Sequence, residues 1–332
     1  MTAVILSFRP QNIPNVYSEE LSEKMKKELT LLSPVKSKEE LLARRDEMQN
    51  VDLIFSTWGM PALTEEEIGT FFPRARAVFY AAGTVQAFAR PFLARGIPVF
   101  SAWAANAVPV AEVVASEILL ANKGFFRREV HSRADWVSDA PAEVYPGNYA
   151  TKIGIIGAGM IGKLVISHLK RHDLEILVFD PFLPDEKAAE LGVTKTDLHT
   201  LFASCHVISN HLANNAQTRG MIDRSCFELM SETAVFINTG RGAQVVERDL
   251  IEAMKNHPGR LALLDVTDPN EPPAEGSELY TLPNIRITPH IAGSIGYEVR
   301  RLADFMWDEY HLWVSGQPTR YEVTAKMLET MA

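Results

Sequence analysis

The chain has 332 residues, a formal net charge of −9, and 46% hydrophobic against 23% charged residues. This is the composition of a globular protein with room for about two domains, and an acidic balance without a basic block argues against nucleic acid or an anionic membrane as the main partner. No apolar run of about 18 residues marks a membrane span. The two cysteines, Cys205 and Cys226, form no CxxC pair and read as reduced small hydrophobes of a cytoplasmic protein.

The apolar start Val4-Ile5-Leu6 lacks the basic flank and cleavage site of a signal peptide and reads as a first strand. Val51–Phe55, Ala77–Tyr80 and Val99-Phe100 follow as further strands. Turn residues lie between them (Thr57-Trp58-Gly59, Ala82-Gly83-Thr84, Gly96-Ile97-Pro98), the alternation of a parallel, doubly wound sheet. Val108–Asn122 predicts a long apolar helix, and Phe125–Tyr149 an irregular connection. A second series opens at Lys152–Ile156 and continues through Glu175–Phe179, His206–Ser209, Ala234–Ile237 and Leu261–Leu264. The chain after His290 reads as a helix from Gly296 to Ser315 and a short tail that can fold back onto the first domain. Trp58, Trp307 and Tyr310 line either a pocket or the core.

Within the second series, Gly157-Ala158-Gly159-Met160-Ile161-Gly162 sits between a β-branched strand and the amphipathic segment Lys163–Arg171. The first glycine permits the tight turn, the second lets backbone approach a pyrophosphate, and the third lets helix and strand pack closely. Amides at the helix start then meet the phosphates. Asp180 ends the next strand, eighteen residues after Gly162, where a carboxylate accepts from ribose hydroxyls and repels a 2′-phosphate. The pattern predicts a dinucleotide site for NAD rather than NADP; a flavin fits a mid-chain fingerprint less well.

Three later strand ends carry chemistry. Asn238-Thr239-Gly240-Arg241-Gly242 places a permanent, forked cation where a sheet's ligand crevice opens, suited to a keto acid's carboxylate and carbonyl. Thr288-Pro289-His290-Ile291-Ala292-Gly293 places a proton donor and acceptor. Between them, Glu271 is the candidate carboxylate partner of His290, with Asp268 in reserve, while Asp265 is expected on the nicotinamide side. His199, His206 and His211 with Cys205 match no zinc spacing, so no metal is expected.

With these motifs in order, the chain resembles the D-isomer-specific 2-hydroxyacid dehydrogenase family from about Val51 to Ala303. The resemblance implies an α/β fold of two doubly wound parallel-sheet domains. A Rossmann NAD-binding domain, 104–292, is inserted in a discontinuous flavodoxin-like substrate domain, 1–103 and 293–332. It also implies a homodimer acting on a small 2-keto or 2-hydroxy acid, and a catalytic set of Arg241, Glu271 and His290. Backbone amides of Ala82, Gly83 and Thr84 would join Arg241 in holding substrate. Gly157, Gly159, Met160, Ile161, Gly162, Asp180, His211, Asn238, Thr239, Gly240, Asp265 and Gly293 would line the cofactor, with Asn106 and Val110 near it. Two departures stand out: Asn270 occupies the family's usual Glu position, so Glu271 is one residue late, and Ser209–Asn215 lacks the usual proline. Glyoxylate, hydroxypyruvate, phosphoglycerate or a bulkier keto acid all share the carboxylate anchor. An NAD(H)-sensing, corepressor-like protein without turnover is the rival reading. Formate oxidation fits less well, because the family's formate enzymes pair the histidine with glutamine.

Overall fold

A computed structural model describes residues 1–127 and 144–329. Most of the irregular connection expected over Phe125–Tyr149 lies outside the described residues. The chain divides into two compact units, 1–106 with 294–332, and 107–293. The division falls after Asn106 rather than Trp103, and after Gly293 rather than Ala292.

In the first unit, β1 (Thr2–Leu6), β2 (Thr30–Leu31), β3 (Leu53–Ser56), β4 (Ala77–Tyr80) and β5 (Val99–Ser101) pair in parallel in the order β2-β1-β3-β4-β5. That is the flavodoxin-like order. Strands β3, β4 and β5 are buried throughout, as a parallel sheet covered on both faces requires. One face packs against helix Glu298–Val314, whose Trp307 and Tyr310 stack with each other at 4.8 Å and meet Phe55 in the core. These two aromatics are core residues, and Trp58 is partly buried against both faces' clusters.

The second unit holds seven parallel strands: β6 (Tyr149–Ile156), β7 (Asp173–Phe179), β8 (Thr194–Lys195), β9 (Val207–Asn210), β10 (Val235–Asn238), β11 (Leu261–Leu264) and β12 (Ile285–Ile287). Their order, β8-β7-β6-β9-β10-β11-β12, is the Rossmann arrangement with one added strand, and it reverses direction between β6 and β9. In such sheets ligands bind outside the carboxyl ends of the strands at that reversal.

A last strand, β13 (Glu322–Val323), returns to the first unit and pairs antiparallel with β5. Glu309, fully buried, holds the tail there: its carboxylate accepts from the backbone N–H groups of Arg320 and Tyr321 and from Arg320 Nε.

Helix Trp103–Ala121 starts earlier than the sequence indicates and carries Pro109 inside it. Contrary to the sequence reading, it is long and apolar enough to cross a membrane by length and composition, because Glu112 and Glu117 interrupt the apolar run without abolishing it. Its Val110, Ala111, Val114, Ile118 and Ala121 are packed into the second unit's core instead.

Candidate active site

The glycine turn after β6 is built from missing side chains. Gly157 adopts φ +90°, a conformation L residues rarely take, while its N–H donates to Phe179 O at 2.8 Å. A Cβ on Gly162 would lie 2.0 Å from Gly157 O, so helix Met160–Leu169 can approach the strand only with glycine there. A Cβ on Gly159 would meet nothing within 4 Å, and no side chain caps this helix start. An open cradle at an uncapped helix N-terminus fits a pyrophosphate. Met160 is exposed beside it and Ile161 partly buried. Asp180 closes the turn, accepting from the Ala158 amide and the Phe182 amide, both at 2.8 Å. His211 reaches the turn with its backbone, its N–H donating to Ile156 O at 2.7 Å and its carbonyl lying where a Gly157 side chain would stand. Its ring is buried, Nε2 sits 3.0 Å from Ser209 Oγ, and burial pushes its pKa down to about 3, so the imidazole is neutral.

A second turn follows β12. His290 is one of two non-glycine residues among those described with positive φ, at +54°. Such a conformation costs a non-glycine residue about 1–3 kcal/mol and persists only where its surroundings impose it. Asp265 imposes it. Buried at the end of β11, its Oδ1 accepts from Thr288 Oγ1 at 2.5 Å and Ile291 N at 2.8 Å, and its Oδ2 from Ala292 N at 2.9 Å. The sequence placed Asp265 towards the nicotinamide; in the structure both its oxygens hold the histidine turn.

His290 Nδ1 pairs with Glu271 Oε1. The carboxylate accepts the Nδ1 proton, leaving Nε2 free, since the two ring nitrogens of neutral imidazole take opposite roles. In the loop before Glu271, Thr267 Oγ1 donates to Asn270 O at 2.7 Å. The partner of His290 is Glu271 and not Asp268, whose backbone and charge act on Glu247.

Arg241 lies on the loop after β10. Burial pulls its pKa down from the ordinary value, with the Glu271 charge opposing, and the guanidinium stays charged. Its Nη1 donates to Gly240 O at 2.8 Å. A Cβ on Gly242 would come within 2.1 Å of the Thr267 carbonyl carbon, so the loops bearing Arg241 and Glu271 touch backbone to backbone. Beneath Arg241, Asn238 Oδ1 accepts from Gly240 N at 3.1 Å, and Thr239 Oγ1 is buried with no partner among the described residues. Asn210 and Gln244, not among the site residues the sequence singles out, are buried here, with Asn210 Nδ2 donating to Asn238 Oδ1 and to Gln244 Oε1. The signal for Asn210 was present: an amide closing a fully buried strand.

Other expected residues lie apart from this cluster. Val110 is in the second unit's core, and Gly293 is its last residue. Asn106 belongs to the first unit, its Oδ1 accepting from Ser294 N at 3.0 Å. In that unit the Ala82 amide is tied to Tyr80 O at 2.9 Å. Ser101 Oγ lies 3.0 Å from the Ala82 carbonyl and 2.5 Å from that of Gly83, leaving the Gly83 and Thr84 amides unpaired among the described residues. The Cys205 thiol is buried and pushed up to about 12, which makes it inert. No group of three His, Cys, Asp or Glu able to hold a metal occurs among the described residues.

A profile of the NAD binding domain of D-isomer specific 2-hydroxyacid dehydrogenases matches residues 116–292. YoaD of Bacillus subtilis is 35% identical over 211 residues, 60% of this chain and 59% of that protein. A D-3-phosphoglycerate dehydrogenase of Archaeoglobus fulgidus is 34% identical over 176 residues, 53% of this chain and 33% of that enzyme. The chain thus spans about a third to three fifths of these curated relatives. Among solved structures, an NAD-complexed D-isomer specific 2-hydroxyacid dehydrogenase from Lactobacillus delbrueckii ssp. bulgaricus superimposes with a TM-score of 0.79 at 17% identity, covering 98% of this chain and 100% of that one. At that identity the likeness is one of fold. The profile covers more than half of the chain and includes the glycine turn, Arg241, Glu271 and His290, so the chain belongs to the D-isomer specific 2-hydroxyacid dehydrogenase family, with NAD as the cofactor of its Rossmann unit.

Proposed function

We propose that this protein interconverts a 2-keto acid and a D-2-hydroxy acid, with His290 as acid and base and Arg241 as substrate anchor. The supporting observation is the His290–Glu271 pair on a loop in backbone contact with the loop of a half-buried arginine. It unites a proton donor and a fixed cation within one unit.

The glycine turn Gly157–Gly162 would hold NADH, which would provide the hydride for reduction of the carbonyl carbon. Arg241 holds the substrate carboxylate through its planar fork and draws charge towards the carbonyl oxygen. Nε2 of His290 gives that oxygen its proton, and in the opposite direction takes one from the hydroxyl. Glu271 fixes the tautomer and stabilises the imidazolium formed then. Within the first unit, the Gly83 and Thr84 amides are proposed as donors to an anionic ligand, the Ala82 amide being already engaged. In this reading the first unit is the substrate domain and Asp180 meets the adenosine ribose. A homodimer in the cytoplasm completes it, in keeping with two free, buried cysteines and testable by sedimentation and fractionation.

Oxidation of NADH and NADPH against a panel of 2-keto acids tests the proposal. The expected result is NADH-dependent turnover of at least one of them. Tight NADH binding with no turnover across the panel would replace the enzyme with a sensor, and preference for NADPH would remove the ribose role of Asp180.

A further inference from the structure

Three side-chain amides lie buried beneath Arg241: Asn210 at the end of β9, Asn238 at the end of β10, and Gln244 in the turn after Arg241, none more than 1% exposed. Asn210 Nδ2 donates to Asn238 Oδ1 at 3.0 Å and to Gln244 Oε1 at 2.6 Å. Amide orientation is fixed here by backbone groups that cannot flip. Gln244 Nε2 donates to Leu212 O at 2.6 Å, Leu212 N donates to Asn210 Oδ1 at 3.2 Å, and Gly240 N donates to Asn238 Oδ1 at 3.1 Å. Those contacts leave Asn210 only one orientation, with its NH2 towards both neighbours.

The network grips the Arg241 loop from below. Gln244 Oε1 accepts from Arg241 N at 3.3 Å, and Asn238 Nδ2 donates to Arg241 O at 3.3 Å. A Cβ on Gly240 would meet Gln244 Oε1 at 2.9 Å and Asn210 Nδ2 at 3.1 Å, so no side chain fits between the amides and the loop. The far end reaches the dinucleotide turn, because Asn210 and Leu212 flank His211, whose backbone packs on Gly157. Strand-end positions in a fully covered parallel sheet are ordinarily filled by apolar side chains. A buried amide that loses its partners is destabilising, so a closed amide network provides directional bonds rather than extra burial.

We infer that Asn210 and Gln244 are positioning residues that act through Arg241, holding its loop in fixed register with the dinucleotide turn. The inference rests on the proposed role of Arg241 as substrate anchor. Loosening the network lets the guanidinium wander from the substrate carboxylate while the glycine turn stays whole. Keto-acid affinity should therefore suffer and NADH affinity should not.

The test is a double-mutant cycle between Asn210→Leu and Arg241→Ala, read as KM for the best keto acid, kcat, and NADH Kd by fluorescence. N210L alone is expected to raise KM about tenfold while leaving NADH Kd within about twofold. In the R241A background it should raise KM no further. An equal rise in both backgrounds, or no rise in either, overturns the inference. If R241A itself leaves KM unchanged, the anchor role fails, which is a separate result. Gln244→Asn keeps an amide but withdraws it by one methylene, and it should repeat the N210L pattern. Loss of NADH binding by both variants would assign the amides to the fold rather than to Arg241, and would also overturn the inference.

Discussion

The glycine turn at Gly157 and the histidine turn at His290 both follow strands of the same parallel sheet, and both place a residue at positive φ. They reach that geometry by opposite means. The first uses residues without side chains, and its three glycines lie within six positions. The second keeps a bulky imidazole in the left-handed region because Asp265, on a different strand end, binds Thr288, Ile291 and Ala292 together. A site that receives phosphates needs room and bare amides, whereas one that moves a proton needs a side chain, so its unusual backbone must be imposed from outside.

Substitutions can break each turn selectively. The largest effect is expected from His290→Ala, which should lower kcat about 10³-fold with NADH Kd unchanged, as measured by steady-state kinetics and fluorescence titration. An unaltered kcat would remove His290 from the chemistry. At the glycine turn the expected effects are smaller and divide between two positions. Gly162→Ala sets a methyl 2.0 Å from a backbone carbonyl, so it should weaken NADH about 100-fold and lower Tm. Gly159→Ala has no protein neighbour within 4 Å and should weaken NADH about tenfold at unchanged Tm. Equal Tm losses for the two would show that both glycines serve packing.

The smallest effect concerns Glu117, near the supports of the histidine turn. It lines a cavity of about 480 Å³ with Leu264 and Thr288, and its Oε2 is buried with no partner among the described residues. Burial, and then the nearby Asp265 charge, raise its pKa to about 7. A raised carboxyl pKa means the folded state holds its proton longer than the unfolded chain. Its contribution to stability is therefore complete below about pH 4.5, declines as pH rises to about 7, and is constant beyond. Glu117→Gln should accordingly raise Tm by about 2 °C or more at pH 8 and change it little at pH 4.5, by differential scanning fluorimetry. A pH-independent shift would contradict this origin.

Much of the fold could be read from the sequence, because the long strands of both sheets are apolar runs bounded by turn residues. The two-residue strands β2, β8 and β13 could not, since two residues carry no periodicity. The tail strand β13 depends on Glu309, whose bonds to Arg320 and Tyr321 exist only once the final helix is packed. Helix Trp103–Ala121 begins five residues before the Val108 start that the sequence indicates, because its first turn, Trp103–Ala107, lies mostly in the first unit and not in the apolar run.

By itself the sequence determined the chemistry available: a glycine turn, an acid eighteen residues on, and an arginine, an acid and a histidine after three successive strands. Local pattern suffices there because a tight turn or a strand end is decided by a few neighbouring residues. Tertiary structure alone decided which carboxylate meets His290, since Glu271 and Asp268 differ by three positions and only loop geometry distinguishes them. It also turned Asp265 into the support of the histidine turn, and joined Asn210 and Gln244 under Arg241 across thirty-four residues of chain. Hydrogen bonds between distant strand ends depend on register and burial, which arise only when the whole sheet has formed.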